Sequence, residues 1–91
     1  MLTVIKQKVL IQNRRGLHAR ASAQVVKVAE RYEAVAYISY QDMRVSAQSI
    51  MGLLMLGAGQ GAHIFIEAEG ADAAEVVSSL ADLIKNKFGE G

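Results

Sequence analysis

The 91-residue chain contains no cysteine, no proline and only two histidines. Without cysteine there is no disulfide, no thiolate metal site and no thiol nucleophile. Without proline, turns must be made by Gly, Asn and Asp. Ten Lys and Arg face nine Asp and Glu, a formal net charge of +1, so no global field draws in nucleic acid or an anionic membrane, and any anion site must be local. The longest apolar stretch, Ile50 to Ala58, is interrupted by Gly52 and Gly57. It is far shorter than the ~20 residues a membrane helix needs. No basic-then-apolar leader opens the sequence, and a cytoplasmic domain without direct membrane insertion is expected. His18 and His63 are remote in sequence with no His-x-x-x-His spacing, which gives no recognisable metal site.

What remains is a 52% hydrophobic, 21% charged chain, suited to a single domain over residues 1–91. Thr3 to Gln12 alternates as a strand. After the turn "NRRG", Ala21, Val25, Val28, Ala29 and Tyr32 recur at helical spacing, which predicts a helix from Ala19 to Tyr32. Val35 to Tyr40 and Met43 to Ser46 read as a short hairpin, and "SIMGLLML" as a short helix capped by Ser49 and ended near Gly57. "AHIFIEA" is a strand. "DAAE" then opens a helix with an Asp cap, and Val77, Leu80, Ala81, Ile84 and Phe88 form its apolar stripe. The order β-α-β-β-α-β-α predicts an α+β domain of two layers, with helices on one face of a mainly antiparallel sheet. Tyr37, Ser39, His63, Phe65 and Glu67 are assigned to the other, wetter face. "GAGQG" has the helix before it and the strand after it, the reverse of a dinucleotide fingerprint, so its glycines are assigned to a turn.

His18 stands where a helix normally has Ser, Thr, Asp or Asn. The first N–H groups of the helix are therefore left without a capping side chain, and they favour an anion together with the positive end of the helix dipole. Arg14, Arg15 and Arg20 flank the same loop, and guanidinium forks suit phosphate. In that cationic setting the neutral, nucleophilic imidazole is favoured and can accept a phosphoryl group. No Asp or Glu precedes Glu30, so no neighbour in the sequence supplies a base for hydrolysis. Transfer to a second protein is favoured over release to water.

"GLHAR", "SIMGLLMLGAGQG" and "IEAEGADAAE", in colinear order over nearly the whole chain, resemble the HPr family, the histidine-containing phosphocarriers of the bacterial phosphoenolpyruvate-dependent sugar phosphotransferase system. The resemblance implies an open-faced β-sandwich, βαββαβα, with antiparallel strand order 1-4-2-3 and three helices on one side. It implies that His18 takes a phosphoryl group on Nδ1 from phospho-Enzyme I and passes it to an Enzyme IIA domain. The chain would then be a carrier intermediate without a cofactor, as a monomer, rather than a stand-alone enzyme. Arg20 matches the family's phosphate-contacting arginine. Ser49 matches a regulatory serine that in some bacteria is phosphorylated by HPr kinase/phosphorylase. The docking surface for Enzyme I and Enzyme IIA carries over to Arg15, Leu17, Arg20, Ile50, Met51 and Leu54, with Met55 at its edge and Lys27 as a further cation facing acidic partners. A phosphate on Ser49 is expected to disturb docking more than folding.

Two features depart from the usual family pattern: Ala21 follows Ala19-Arg20 where the family usually has proline, and Arg15 stands where Asn or His is common. Alanine keeps an N–H that proline would lack, so an additional donor is expected at the anion site. The rival assignments are a regulatory paralogue of the nitrogen-related branch, which keeps the histidine and often carries a run like "LLML", and a carbon-repression paralogue, which lacks the histidine.

Overall fold

The computed structural model describes residues 4–90. Four strands, β1 (Val4–Leu10), β2 (Val35–Tyr40), β3 (Met43–Ser46) and β4 (His63–Glu69), form one antiparallel sheet of order β1-β4-β2-β3. Three helices, α1 (Ala19–Ala29), α2 (Ile50–Met55) and α3 (Ala73–Lys85), complete the β-α-β-β-α-β-α order. The expected start of the first strand at Thr3 lies outside the described residues.

Period-2 burial explains the two layers. Val9, Ala36, Ile38, Ile64, Ile66 and Ala68 are buried on the helix side of the sheet. There they meet Val25 of α1, Leu53 of α2, and Val76, Val77, Leu80, Ala81 and Ile84 of α3. α3 packs across β1, β4 and β2, and α1 packs on α2 and α3. Between the buried positions, Tyr37, Ser39, Phe65 and Glu67 are half-buried and His63 is exposed, as the alternation predicted. Lys6 lies over the Phe65 ring at 4.8 Å and Arg44 over Tyr37 at 4.1 Å, so cationic side chains cover the aromatics of this face. Arg44 also reaches Glu67 at 3.5 Å.

β1 ends at Leu10, two residues before the expected Gln12, and the helix ends also differ from the periodicity. α1 stops at Ala29, because Arg31 and Tyr32 donate to the carbonyls of Val28 and Ala29 in tighter turns. The Tyr32 hydroxyl then pairs with Ser79 Oγ at 2.7 Å, which explains an apolar-periodic residue beyond the helix. Asp72 occupies the N-cap of α3 but makes no capping bond. Its Oδ2 accepts from the N–H of Glu33 at 2.7 Å and clips the β2 approach to the helix. α3 ends at Lys85, and Phe88 sits in a 3-10 turn, Lys87–Gly89, where Lys87, Phe88 and Gly89 have φ of 58°, 55° and 77°. Left-handed backbone at two non-glycine residues costs roughly 1–2 kcal/mol each. Burial of the Phe88 ring, 3% exposed, offsets it. This turn redirects the last residues toward the head of α1.

Candidate functional site: a histidine at an uncapped helix head

The loop before α1 is fixed by a close backbone approach. Gly16 has φ +64°, and a Cβ there would lie 2.7 Å from the Ala58 carbonyl oxygen and from Gly59 Cα. No other residue type fits. Leu17 N–H donates to that Ala58 carbonyl at 3.0 Å, and Ser22 Oγ, fully buried, reaches back to the Leu17 carbonyl at 3.3 Å. The α1 N-terminus is thereby pinned to the segment between α2 and β4.

His18 is the N-cap, with extended backbone and no side-chain capping bond. The first intrahelical bond runs from Ser22 N–H to the His18 carbonyl at 2.8 Å, so the N–H groups of Ala19, Arg20 and Ala21 have no acceptor within the helix. The uncapped helix head expected from the sequence is present. Arg14, Arg15 and Arg20 are exposed and line one open pocket with Glu90.

Glu90 is the residue that sequence reasoning missed. Its Oε2 contacts Nε2 of His18, across 72 positions of chain, and its Oε1 accepts from Asn13 Nδ2 at 3.1 Å. The ring is therefore not surrounded by cations alone, and a carboxylate does stand beside it. These contacts, His18 first and Asn13 second, hold the Glu90 carboxyl below its ordinary value of 4.5. A carboxylate can only accept, so Nε2 carries the hydrogen and Nδ1 of a neutral ring keeps its lone pair. Glu90 sits on the Nε2 side, away from the nitrogen that would react.

Asn13, 2% exposed, also donates from Nδ2 to the Gly16 carbonyl at 2.9 Å. Its Oδ1 is buried and has no partner among the described residues, at a cost of roughly 1–3 kcal/mol. The sequence marked Asn13 only as the first residue of a turn.

Ser49 caps α2 as expected: its Oγ accepts from Gly52 N–H at 3.0 Å. Ile50, Met51, Leu54 and Met55 are 40%, 69%, 39% and 67% exposed, while Leu53 is fully buried, so α2 keeps one apolar face in solvent. Leu17 does not share it. At 6% exposed it belongs to the core beneath the site, which corrects its assignment to the docking surface. Lys27 lies in the last turn of α1, about 13 Å along the axis from the helix head at 1.5 Å per residue, outside the arginine cluster. His63, at the start of β4, is apart from the site. Among the described residues no His/Cys/Asp/Glu group is arranged to hold a metal ion, and no helix is long and apolar enough to cross a membrane.

An open-faced α+β sandwich with a histidine at an uncapped helix head, beside arginines and an apolar helix face, defines the class. The family model for the HPr component phosphorylation site of the phosphotransferase system matches residues 5–86. Phosphocarrier protein HPr from Neisseria meningitidis is 44% identical over 88 residues, 97% of this chain and 99% of the relative. That of Cupriavidus necator is 40% identical over the same length and coverage. The crystal structure of HPr from Thermoanaerobacter tengcongensis superposes with a TM-score of 0.91 at 38% identity, covering 96% of this chain and 98% of that one. The chain belongs to the HPr family of phosphocarriers of the phosphotransferase system. A crystal structure of an HPr dimer from the same thermophile also matches, with a TM-score of 0.76 at 40% identity over 90% of this chain and 94% of that one.

Proposed function

We propose that this chain, acting as a cytoplasmic monomer, receives a phosphoryl group on Nδ1 of His18 from phospho-Enzyme I and delivers it to an Enzyme IIA domain. The observation that supports this most is the hydrogen bond of Nε2 to Glu90, which leaves Nδ1 as the nucleophilic nitrogen at the head of α1. In the transfer, the Nδ1 lone pair forms a bond to phosphorus while the bond from phosphorus to the donor's phosphoryl-bearing atom breaks, and that donor atom keeps the electron pair. Positive charge develops on the imidazole, and the Glu90 carboxylate stabilises it through Nε2–H. The incoming phosphoryl oxygens find the unpaired N–H groups of the first turn, with Arg20 and Arg15 as forked cations. Passing the group on reverses the same steps.

Ile50, Met51 and Leu54 supply the docking face, and Met51 adapts to more than one partner. Arg15 and Arg20 steer acidic partner surfaces. Ser49 is the regulatory phosphorylation site. A phosphate there, carrying nearly two negative charges, is tolerated by the end of α2 and repels an acidic partner from the face beside it. Incubation with phosphoenolpyruvate and Enzyme I of the sugar branch, and separately of the nitrogen-related branch, tests the assignment. Acid-labile, base-stable phosphate on wild type that is absent from His18→Ala is expected. No label with either enzyme, or undiminished label on His18→Ala, overturns it.

A further inference from the structure

Asn13 is a buried side chain whose two donated hydrogens are both committed. One goes to the Gly16 carbonyl and the other to Oε1 of Glu90. The orientation of its amide follows from chemistry, because both neighbours are acceptors and an oxygen turned toward them would face two like groups. The turn itself is already closed by the Gly16 N–H to the Asn13 carbonyl at 3.2 Å. The side chain therefore does more than close the turn, and it does so with Oδ1 left orphaned. Its second bond holds a carboxylate that arrives from the far end of the chain. Glu90 would otherwise be fixed only by the short turn behind Phe88 and by His18 itself.

We infer that Asn13 is a positioning residue that acts through Glu90. By claiming Oε1, it presents Oε2 to His18 and so sets the imidazole tautomer that leaves Nδ1 open. The rate consequence rests on His18 being the phosphoryl acceptor, whereas the tautomer consequence does not. A donor-only contact from Asn13 makes a specific forecast for Glu90→Gln. The glutamine oxygen is held by Asn13, its NH2 faces Nε2, and Nε2 must then accept, which moves the ring proton onto Nδ1.

The test uses the full chain with 15N-labelled histidine at about pH 9, where imidazole is neutral, and reads which ring nitrogen of His18 carries the proton. Nε2–H is expected in wild type and predominantly Nδ1–H in Glu90→Gln, with phosphorylation by Enzyme I slowed about tenfold or more, since hydrogen bonds to charged groups bias a ratio by that order. Adding Asn13→Ala to Glu90→Gln lets the amide turn over and restores Nε2–H. Glu90→Gln leaves the turn around Asn13 untouched, so its result stands even if Asn13→Ala loosens the loop. An unchanged Nε2–H ring in Glu90→Gln, or failure of the double variant to restore it, overturns the inference. If Enzyme I never labels wild type while the tautomer responds as described, the carrier assignment fails and the positioning role stands.

Discussion

Replacing Phe88 by alanine measures how the C-terminal turn is held. Removing a buried Phe ring from a core costs about 3–5 kcal/mol when the surroundings stay in place. Here they need not stay in place. Lys87 and Phe88 both hold left-handed backbone, φ 58° and 55°, at roughly 1–2 kcal/mol each, and α3 ends before them at Lys85. Once the ring is gone, the turn can unwind without disturbing the helix and recovers about 2–4 kcal/mol of that strain. The net global loss is then about 1 kcal/mol, a fall in Tm of about 4–8 °C for a domain of this size. Urea unfolding reads the stability. Amide exchange reads the turn, through the Gly89 and Glu90 N–H groups bonded to the Asn86 and Lys87 carbonyls at 3.0 and 2.9 Å. Phe88→Ala should lose protection at both amides, and Glu90 should leave His18. A loss of 3–5 kcal/mol with both amides still protected would refute the strain reasoning. Lys87→Gly, which relieves one strained residue at some entropic cost, should raise stability by about 0.5–1 kcal/mol.

Ser49→Ala removes the cap of α2 and should cost about 1 kcal/mol in urea unfolding. Ser49→Asp should instead keep the fold and weaken Enzyme I binding in a titration at low salt, and unchanged affinity would argue against electrostatic control of docking. The Glu90 carboxyl is held below 4.5, so its bond to His18 and Asn13 contributes stability that is fully present above that value and is lost as pH falls through the lower folded value. The stability gap between wild type and Glu90→Gln should therefore close as the solution is made more acidic than pH 4.5, as followed by urea unfolding at each pH. Ala21→Pro removes one first-turn donor and should shorten the phosphohistidine lifetime about fivefold, the value of one lost hydrogen bond of about 1 kcal/mol. An equal lifetime would show that the Ala21 N–H is not used.

The fold was legible because the periods were clean. Alternation in "HIFIEA" and the 3.6-residue stripe through Val77, Leu80, Ala81 and Ile84 identify their elements without tertiary information. The uncapped His18 was legible for the same reason, since capping depends on neighbours in the chain. Glu90 was not. No carboxylate lies near His18 in sequence before Glu30, whereas Glu90 reaches it through a left-handed turn that no periodicity encodes. The usable sign was "KFGE": a stripe residue, Phe88, followed at once by glycine and a carboxylate, which marks a chain turning back on its core. Leu17 misled because a large apolar residue beside a functional histidine reads equally as contact surface or as core. Asp72 misled because a capping pattern says nothing about a competing donor such as Glu33 N–H.

The close approach of Gly16 to Ala58 and Gly59 ties the loop before α1 to the segment after α2. The segment it touches follows directly from α2, so under the proposed function the apolar face that would receive a partner and the nitrogen that would meet that partner's phosphorus sit on one continuous support. A partner docked on Met51 and Leu54, as proposed, would thereby be aimed at His18. Disturbing that seam, as Gly16→Ala would, should leave recognition nearly intact and spoil the aim, yielding a protein that competes for its partners and stalls the relay.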